Sequence, residues 1–133
     1  GKEKLLLDYK GWKIAPFICY DLRFPVWNRN LEDYDLALYV ANWPAQRSYH
    51  WRCLLTGRAI ETQAYIGAVN RVGTDGNGFP YSSDSTVLDP VGELLYQKGE
   101  VEDIFTITLS KMHLEEMRKQ FPFLGDKDRF KII

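Results

Sequence analysis

The chain has 133 residues, of which 45% are hydrophobic and 26% charged, with a formal net charge of −1. That length suits one globular domain with its own core and is too short for two. The charge excludes the broad basic footprint of a nucleic-acid binder, and no apolar stretch reaches the roughly 18 residues of a membrane span. Two cysteines, Cys19 and Cys53, make no disulfide framework, so the expected compartment is a reducing cytoplasm. No secretory signal pattern opens the sequence. It begins Gly1-Lys2-Glu3-Lys4 without an initiator Met, as a tag remnant or a fragment boundary would.

In chain order, Leu5 to Leu7 and Trp12 to Ile18 read as two short strands joined by a turn at Lys10-Gly11. Pro16, which cannot donate to a ladder, marks an edge or a bulge in the second. Phe24 to Trp27 opens a short helix with Pro25 in its first turn. Leu36 to Ala41 is a nearly continuous apolar run, the pattern of a strand covered on both faces. After the loop Asn42 to Ala45, Ser48 to Tyr65 is the clearest helix. Trp51, Leu55, Ala59 and Thr62 share one face with Leu54 beside them, Arg52, Arg58 and Glu61 lie elsewhere, and Ser48 suits the N-cap. Ile66 to Val72 is a second buried strand, and Gly73 to Gly78 is a glycine-rich loop. Ser85 to Leu88 is a strand that turns at Asp89 to Gly92 into a hairpin running to Gln97. Glu102 to Leu109 alternates as a strand should, Ser110 to Gln120 is a helix, and an aromatic tail follows from Phe121. With no repeat or linker, this order predicts an α/β domain with a mixed sheet.

The candidate chemistry centres on Cys19. A lone cysteine after an apolar strand is commonly a small buried hydrophobe. This one ends its strand at a turn that supplies backbone N–H groups, with Arg23 and a helix start close by, a setting that favours a thiolate. Cys53, mid-helix, is expected to pack. A Cys19–His50 pair is conceivable, but an exposed or satisfied histidine is the commoner state, and neither His50 nor His113 has metal-ligand spacing. The Asp75-Gly76-Asn77-Gly78 loop lacks a phosphate-loop pattern and reads as surface. Asp21 and Arg23 could bind substrate or staple the turn as a charge pair. Asn42 and Trp43 follow the most buried strand, on the rim where open α/β sheets hold ligands, or else a packed Trp anchors that loop.

Ile18-Cys19-Tyr20-Asp21-Leu22-Arg23-Phe24-Pro25 resembles the nucleophile motif of the nitrilase superfamily, the carbon–nitrogen hydrolases. The likeness continues through Ala41-Asn42-Trp43-Pro44, Gly57 to Tyr65, Asn70-Arg71-Val72-Gly73 and Asp84 to Glu93. Within the superfamily, Val26 to Asn30, Tyr34 to Val40 and the Gly73 to Gly78 loop look most like bacterial ω-amidases, which hydrolyse the side-chain amide of 2-oxo dicarboxylic acid monoamides such as 2-oxoglutaramate.

The resemblance implies a four-layer α-β-β-α sandwich and a Glu-Lys-Cys catalytic set with no metal or organic cofactor. Cys19 would attack the amide carbon to form a thioester, the backbone N–H of Tyr20 would hold the oxyanion with the lysine, and Asn42 and Trp43 would lie near the pocket. In the family the glutamate and lysine precede the Cys motif, and no residue here matches either one. Residues 1–133 are therefore expected to be the C-terminal portion of a single domain whose N-terminal portion is its partner. The chain alone is expected to be inactive, to expose apolar faces, and to fold only with that portion. The implied ligand is a small amide, and the implied assembly is a homodimer or larger with the aromatic tail at contacts. Another amidase or carbamoylase of the superfamily, or a non-catalytic module keeping the fold, are the alternatives.

Overall fold

The computed structural model describes residues 3–130. Strands β1 (Leu7–Tyr9) and β2 (Trp12–Ile18) form a hairpin. Lys10 (φ 48°) and Gly11 (φ 79°) both take left-handed backbone at its turn, the two-residue geometry that matches strand twist. Leu5 and Leu6 stay outside β1, which starts at Leu7. A 3₁₀ turn, Cys19–Arg23, follows β2 directly and leads into the short helix α1 (Pro25–Asn28). Then come β3 (Leu36–Ala41), helix α2 (Ser48–Thr62), β4 (Tyr65–Asn70), β5 (Val72–Thr74), β6 (Pro80–Leu88), β7 (Leu94–Gly99) and helix α3 (Lys111–Gln120).

The sheet is mixed, in the order β1-β2-β3-β4-β6-β5, with β7 also paired to β6. β2, β3 and β4 are parallel neighbours, so their C-terminal ends share one rim, and the remaining pairs are antiparallel. β1 pairs only with Trp12 to Ile14. Beyond that point β2 has no neighbour on that side among the described residues, so Pro16 costs no β1–β2 bond.

Alternation along the strands sorts the two faces. Ala15, Phe17, Ala37, Tyr39, Ile66 and Ala68 point to the helices and meet Trp51, Leu55 and Ala59 of α2 in one buried core. The other face carries Ile18, Val40 and Val69 in register, 68%, 55% and 62% exposed, so much of it is an open apolar surface. α3 covers only its lower end, where Leu114 and Met117 pack with Tyr65, Trp12 and Leu36. Ser110 caps α3 by accepting the His113 N–H at 3.1 Å. Among the described residues no helix is long and apolar enough to cross a membrane.

Several expectations need correction. Glu102 to Leu109 pairs with no strand among the described residues and is mostly exposed, with Ile104 96% accessible. Alternation marks a segment that fits a sheet edge but cannot supply the edge. α2 stops at Thr62, short of Tyr65, because Gln63 turns left-handed (φ 46°). Ser48 is its first residue and not its cap: the hydroxyl donates to Asp84 Oδ2 at 2.5 Å and accepts from Arg52 at 2.7 Å. Arg58, placed off the apolar face by its charge, is buried, since it lies one turn from both Leu55 and Thr62. The aromatic tail in part folds back on the chain: Phe123–Asp126 is a 3₁₀ turn, Lys127 donates to Asn30 O at 2.9 Å, and Arg29 lies 5.2 Å over the Phe130 ring. Ile132 and Ile133 lie outside the described residues.

Candidate active site

The rim of β2 and β3 sets the site. β2 ends at Ile18, and Cys19 turns out of the strand with φ 42°, a left-handed conformation unusual for a residue with a Cβ. Such a conformation persists only where its surroundings hold it, and here they do. Asp21 Oδ2 accepts the Ile18 N–H at 2.9 Å, closing the turn on itself. Leu22 is fully buried, and its carbonyl accepts from Arg58 Nη2 at 3.0 Å.

Asn28, also fully buried, donates through Nδ2 to Asp21 O at 2.6 Å and Phe24 O at 2.7 Å. Its Oδ1 accepts from Tyr39 Oη, while its main-chain carbonyl accepts from Tyr34 Oη at 2.6 Å. Burial pushes both phenols up, so they stay protonated donors. The thiol thus stands at the tip of an elbow whose base is fixed from three sides. The first N–H groups of a helical turn have no partner within it, and Tyr20 is the second residue of this one.

The wall across from the elbow comes from the loop after β3. Trp43 is buried: its backbone N–H donates to Asn70 Oδ1 at 2.7 Å and its Nε1 to Arg47 O at 2.8 Å. The Arg23 guanidinium carbon sits 4.7 Å over the Trp43 ring, a cation–π contact. Cys19, Tyr20, Arg23, Asn42, Trp43, Pro44 and Arg47 line one cavity of about 300 Å³. Neither arginine is ion-paired among the described residues. A larger concavity, about 680 Å³, lies on the open sheet face between Val40, Val69, Tyr96 and Phe105. It holds neither thiol nor histidine.

The structure places Cys19, Tyr20, Asn42 and Trp43 around one cavity. It does not form the Asp21–Arg23 charge pair: Asp21 bonds backbone, and Arg23 turns to Trp43. His50 Nδ1 lies 3.4 Å from Arg23 Nη2, and no hydrogen bond joins it to Cys19 among the described residues. His113 Nε2 lies 3.7 Å from Asp89. Cys53, expected to pack, is exposed, since it sits across the helix from Trp51 and Leu55. Arg47 was missed by the sequence reading, which stopped at Ala45; its signal was a second basic residue four positions after Trp43. Asn28, Arg58 and Asn70 carry no chemical signature that sequence could flag.

The carbon-nitrogen hydrolase family model matches residues 1–119. The chain belongs to the carbon-nitrogen hydrolase family. It is 51% identical over 137 residues to the omega-amidase YafV of Escherichia coli (strain K12), covering 99% of this chain and 52% of that one. It is 32% identical over 128 residues to the 2-oxoglutaramate amidase of Bacillus subtilis (strain 168), covering 95% of this chain and 49% of that one. XC1258 from Xanthomonas campestris, a CN-hydrolase superfamily protein solved with an arsenic adduct in its active site, superposes with a TM-score of 0.97 at 46% identity, covering 100% of this chain and 53% of that one. Nit3 of Saccharomyces cerevisiae, a member of the nitrilase superfamily, gives 0.82 at 27% identity over 92% of this chain and 46% of that one. The chain spans about half the length of the curated relatives it matches.

Proposed function

We propose that Cys19 is the nucleophile of a thiol-dependent amidase acting on a small amide that carries a carboxylate, of the 2-oxo dicarboxylic acid monoamide type. The observation that carries this reading is the composition of the cavity: Cys19 shares it with two arginines, Arg23 and Arg47, that no carboxylate pairs among the described residues. An uncharged amide has no use for paired arginines, whose planar forks match a carboxylate. The Escherichia coli omega-amidase and the Bacillus subtilis 2-oxoglutaramate amidase, to which the chain is similar, support it.

In this reading the Cys19 sulfur adds to the amide carbon, and the carbonyl π pair moves onto oxygen. The Tyr20 N–H stabilises that oxyanion. The oxyanion pair then re-forms the carbonyl as the C–N bond breaks, nitrogen takes the proton that a general base removed from the thiol and leaves as ammonia, and a thioester remains on Cys19. Water adds to the thioester, giving its proton to that base, and the acid departs as the thiolate is restored. Asn42 and Trp43 form the pocket wall, with Arg23 and Arg47 facing the carboxylate.

The general base and a second oxyanion donor are a glutamate and a lysine from outside this chain, which is the C-terminal portion of one domain. The remaining portion covers the open apolar sheet face and completes a four-layer α-β-β-α sandwich. The chain alone is inactive, and the complete protein assembles as a homodimer or larger. Two unpaired thiols suit a reducing compartment such as the cytoplasm.

The test assays the complete protein on 2-oxoglutaramate, a carbamoyl amide and a nitrile. Preference for 2-oxoglutaramate is expected, with kcat/KM falling about 10- to 100-fold in Arg23→Met through loss of charge-assisted bonds. Preference for the nitrile would overturn the reading.

A further inference from the structure

We infer that Asn70 is a positioning residue for the anion-binding wall of the cavity, acting through Trp43; this rests on the amidase reading above. Asn70 ends β4, is only 6% exposed, and is not among the residues lining the Cys19 cavity. Its carboxamide nevertheless grips the wall at two points. Oδ1 accepts the Trp43 N–H at 2.7 Å, and Nδ2 donates to the Trp43 carbonyl at 3.0 Å. Holding both backbone groups of one residue fixes the peptide planes on either side of it, and with them the direction of its side chain. The Trp43 ring is the surface on which Arg23 rests at 4.7 Å, and its Nε1 holds the Arg47 carbonyl. One buried amide therefore stands behind both the surface under the Arg23 guanidinium and the backbone of Arg47.

The clamp has its own anchor. Nδ2 also donates to Ser83 O at 2.7 Å, so three bonds hold the carboxamide in one orientation. Ser83 (φ 62°) and Asp84 (φ 54°) are consecutive non-glycine residues in left-handed backbone, at a register shift between β6 and β7. This disfavoured conformation is held by the Asp84 carboxylate, which accepts from Ser48 at 2.5 Å, Ser82 at 2.8 Å, Gln97 at 3.1 Å and Arg52 at 3.2 Å. Trp51 Nε1 donates to the Asp84 carbonyl at 2.9 Å. The bulge aims the Ser83 carbonyl at Asn70, and Asn70 passes that placement to Trp43.

The test uses the complete protein with succinamate as the carboxylate-bearing amide, propionamide as the uncharged one, and succinate as a non-reacting ligand. Asn70→Asp keeps the shape and loses both donors; Asn70→Ser loses the reach without burying a charge, and carries the test if the aspartate variant does not fold. Expected in both is a fall of about tenfold in kcat/KM for succinamate, mostly in KM, with a change below about threefold for propionamide. Succinate Kd rises by about the same tenfold factor.

Equal losses on the two amides would make Asn70 a structural brace alone and overturn the inference. A loss confined to Asn70→Asp would reflect charge repulsion and overturn it as well. If wild-type protein hydrolyses neither amide, the amidase reading falls by itself and succinate affinity decides: a tenfold loss in Asn70→Ser supports the clamp, and no change overturns it. Wild-type protein that binds no succinate overturns both.

Discussion

Replacing Asn28 with alanine tests whether the elbow under Cys19 is built as described. The substitution removes three side-chain hydrogen bonds from a fully buried site. The two carbonyls it serves are not left bare, because Asp21 O keeps the Phe24 N–H at 3.0 Å and Phe24 O keeps the Asn28 N–H at 3.1 Å. Each of those losses costs about 1 kcal/mol, the net value of one hydrogen bond. Tyr39 fares worse, since its hydroxyl is buried and Asn28 is its partner; an unsatisfied buried donor costs about 1–3 kcal/mol. Asn28→Ala should therefore lose about 3–5 kcal/mol in urea denaturation of the complete protein. Tyr39→Phe alone strands Asn28 Oδ1 and should cost about 1–2 kcal/mol. The double variant should be less destabilised than the sum of the two by a coupling of about 1–2 kcal/mol, as expected for groups in contact. Among molecules that remain folded, kcat should still fall, because the thiol loses its fixed base. A loss below about 1 kcal/mol, or strictly additive variants, would refute the three-sided anchoring.

Two further outcomes follow from the same geometry. Burial opposes charge on Asp84, but hydrogen bonds from Ser48 and Ser82 and the Arg52 guanidinium outweigh it and hold the carboxyl below the usual carboxylate range. A pKa lower in the folded than in the unfolded state stabilises the protein fully above about pH 4, and that stabilisation is lost as pH falls through the folded value. Asp84→Asn should be less stable than wild type at pH 7, with the gap narrowing at pH 3 in urea titrations; a gap independent of pH would sink the assignment. In thiol alkylation by iodoacetamide, succinate should slow modification of Cys19 and leave exposed Cys53 unaffected, as read by peptide mass mapping; equal protection of both would contradict a carboxylate site beside Cys19.

The local rules carried much of this structure. The apolar run at Leu36 to Ala41 gave β3, although the face bearing Leu38 and Val40 is open and not covered as that run implies; the spacing of Trp51, Leu55, Ala59 and Thr62 gave the inner face of α2, because burial on one face of a helix leaves a periodic trace. The abrupt change of character at Ile18-Cys19 marked where β2 ends and the thiol begins. Arg58 and Cys53 were misplaced for one reason: a helical position is buried or exposed by its angle, and chemistry type is a poor guide to angle when a guanidinium finds a carbonyl such as Leu22 O. Glu102 to Leu109 has strand periodicity without a neighbour among the described residues, and sequence does not say where a partner edge lies. Asn70 and Asp84 join segments 27 and 36 residues apart, contacts that only the fold brings together. Arg23 looked like half of a charge pair because Asp21 is near in sequence; the stacking partner, Trp43, is near only in space.

The proposed reaction requires Cys19 to form a covalent acyl intermediate with a carboxylate-bearing amide. Acid quench of the complete protein during turnover of 2-oxoglutaramate, followed by peptide mass mapping, tests it most directly. An acyl adduct is expected on the peptide containing Cys19, absent from Cys19→Ala protein, which should also release no ammonia. Turnover with no adduct at Cys19, or turnover that survives Cys19→Ala, would contradict it.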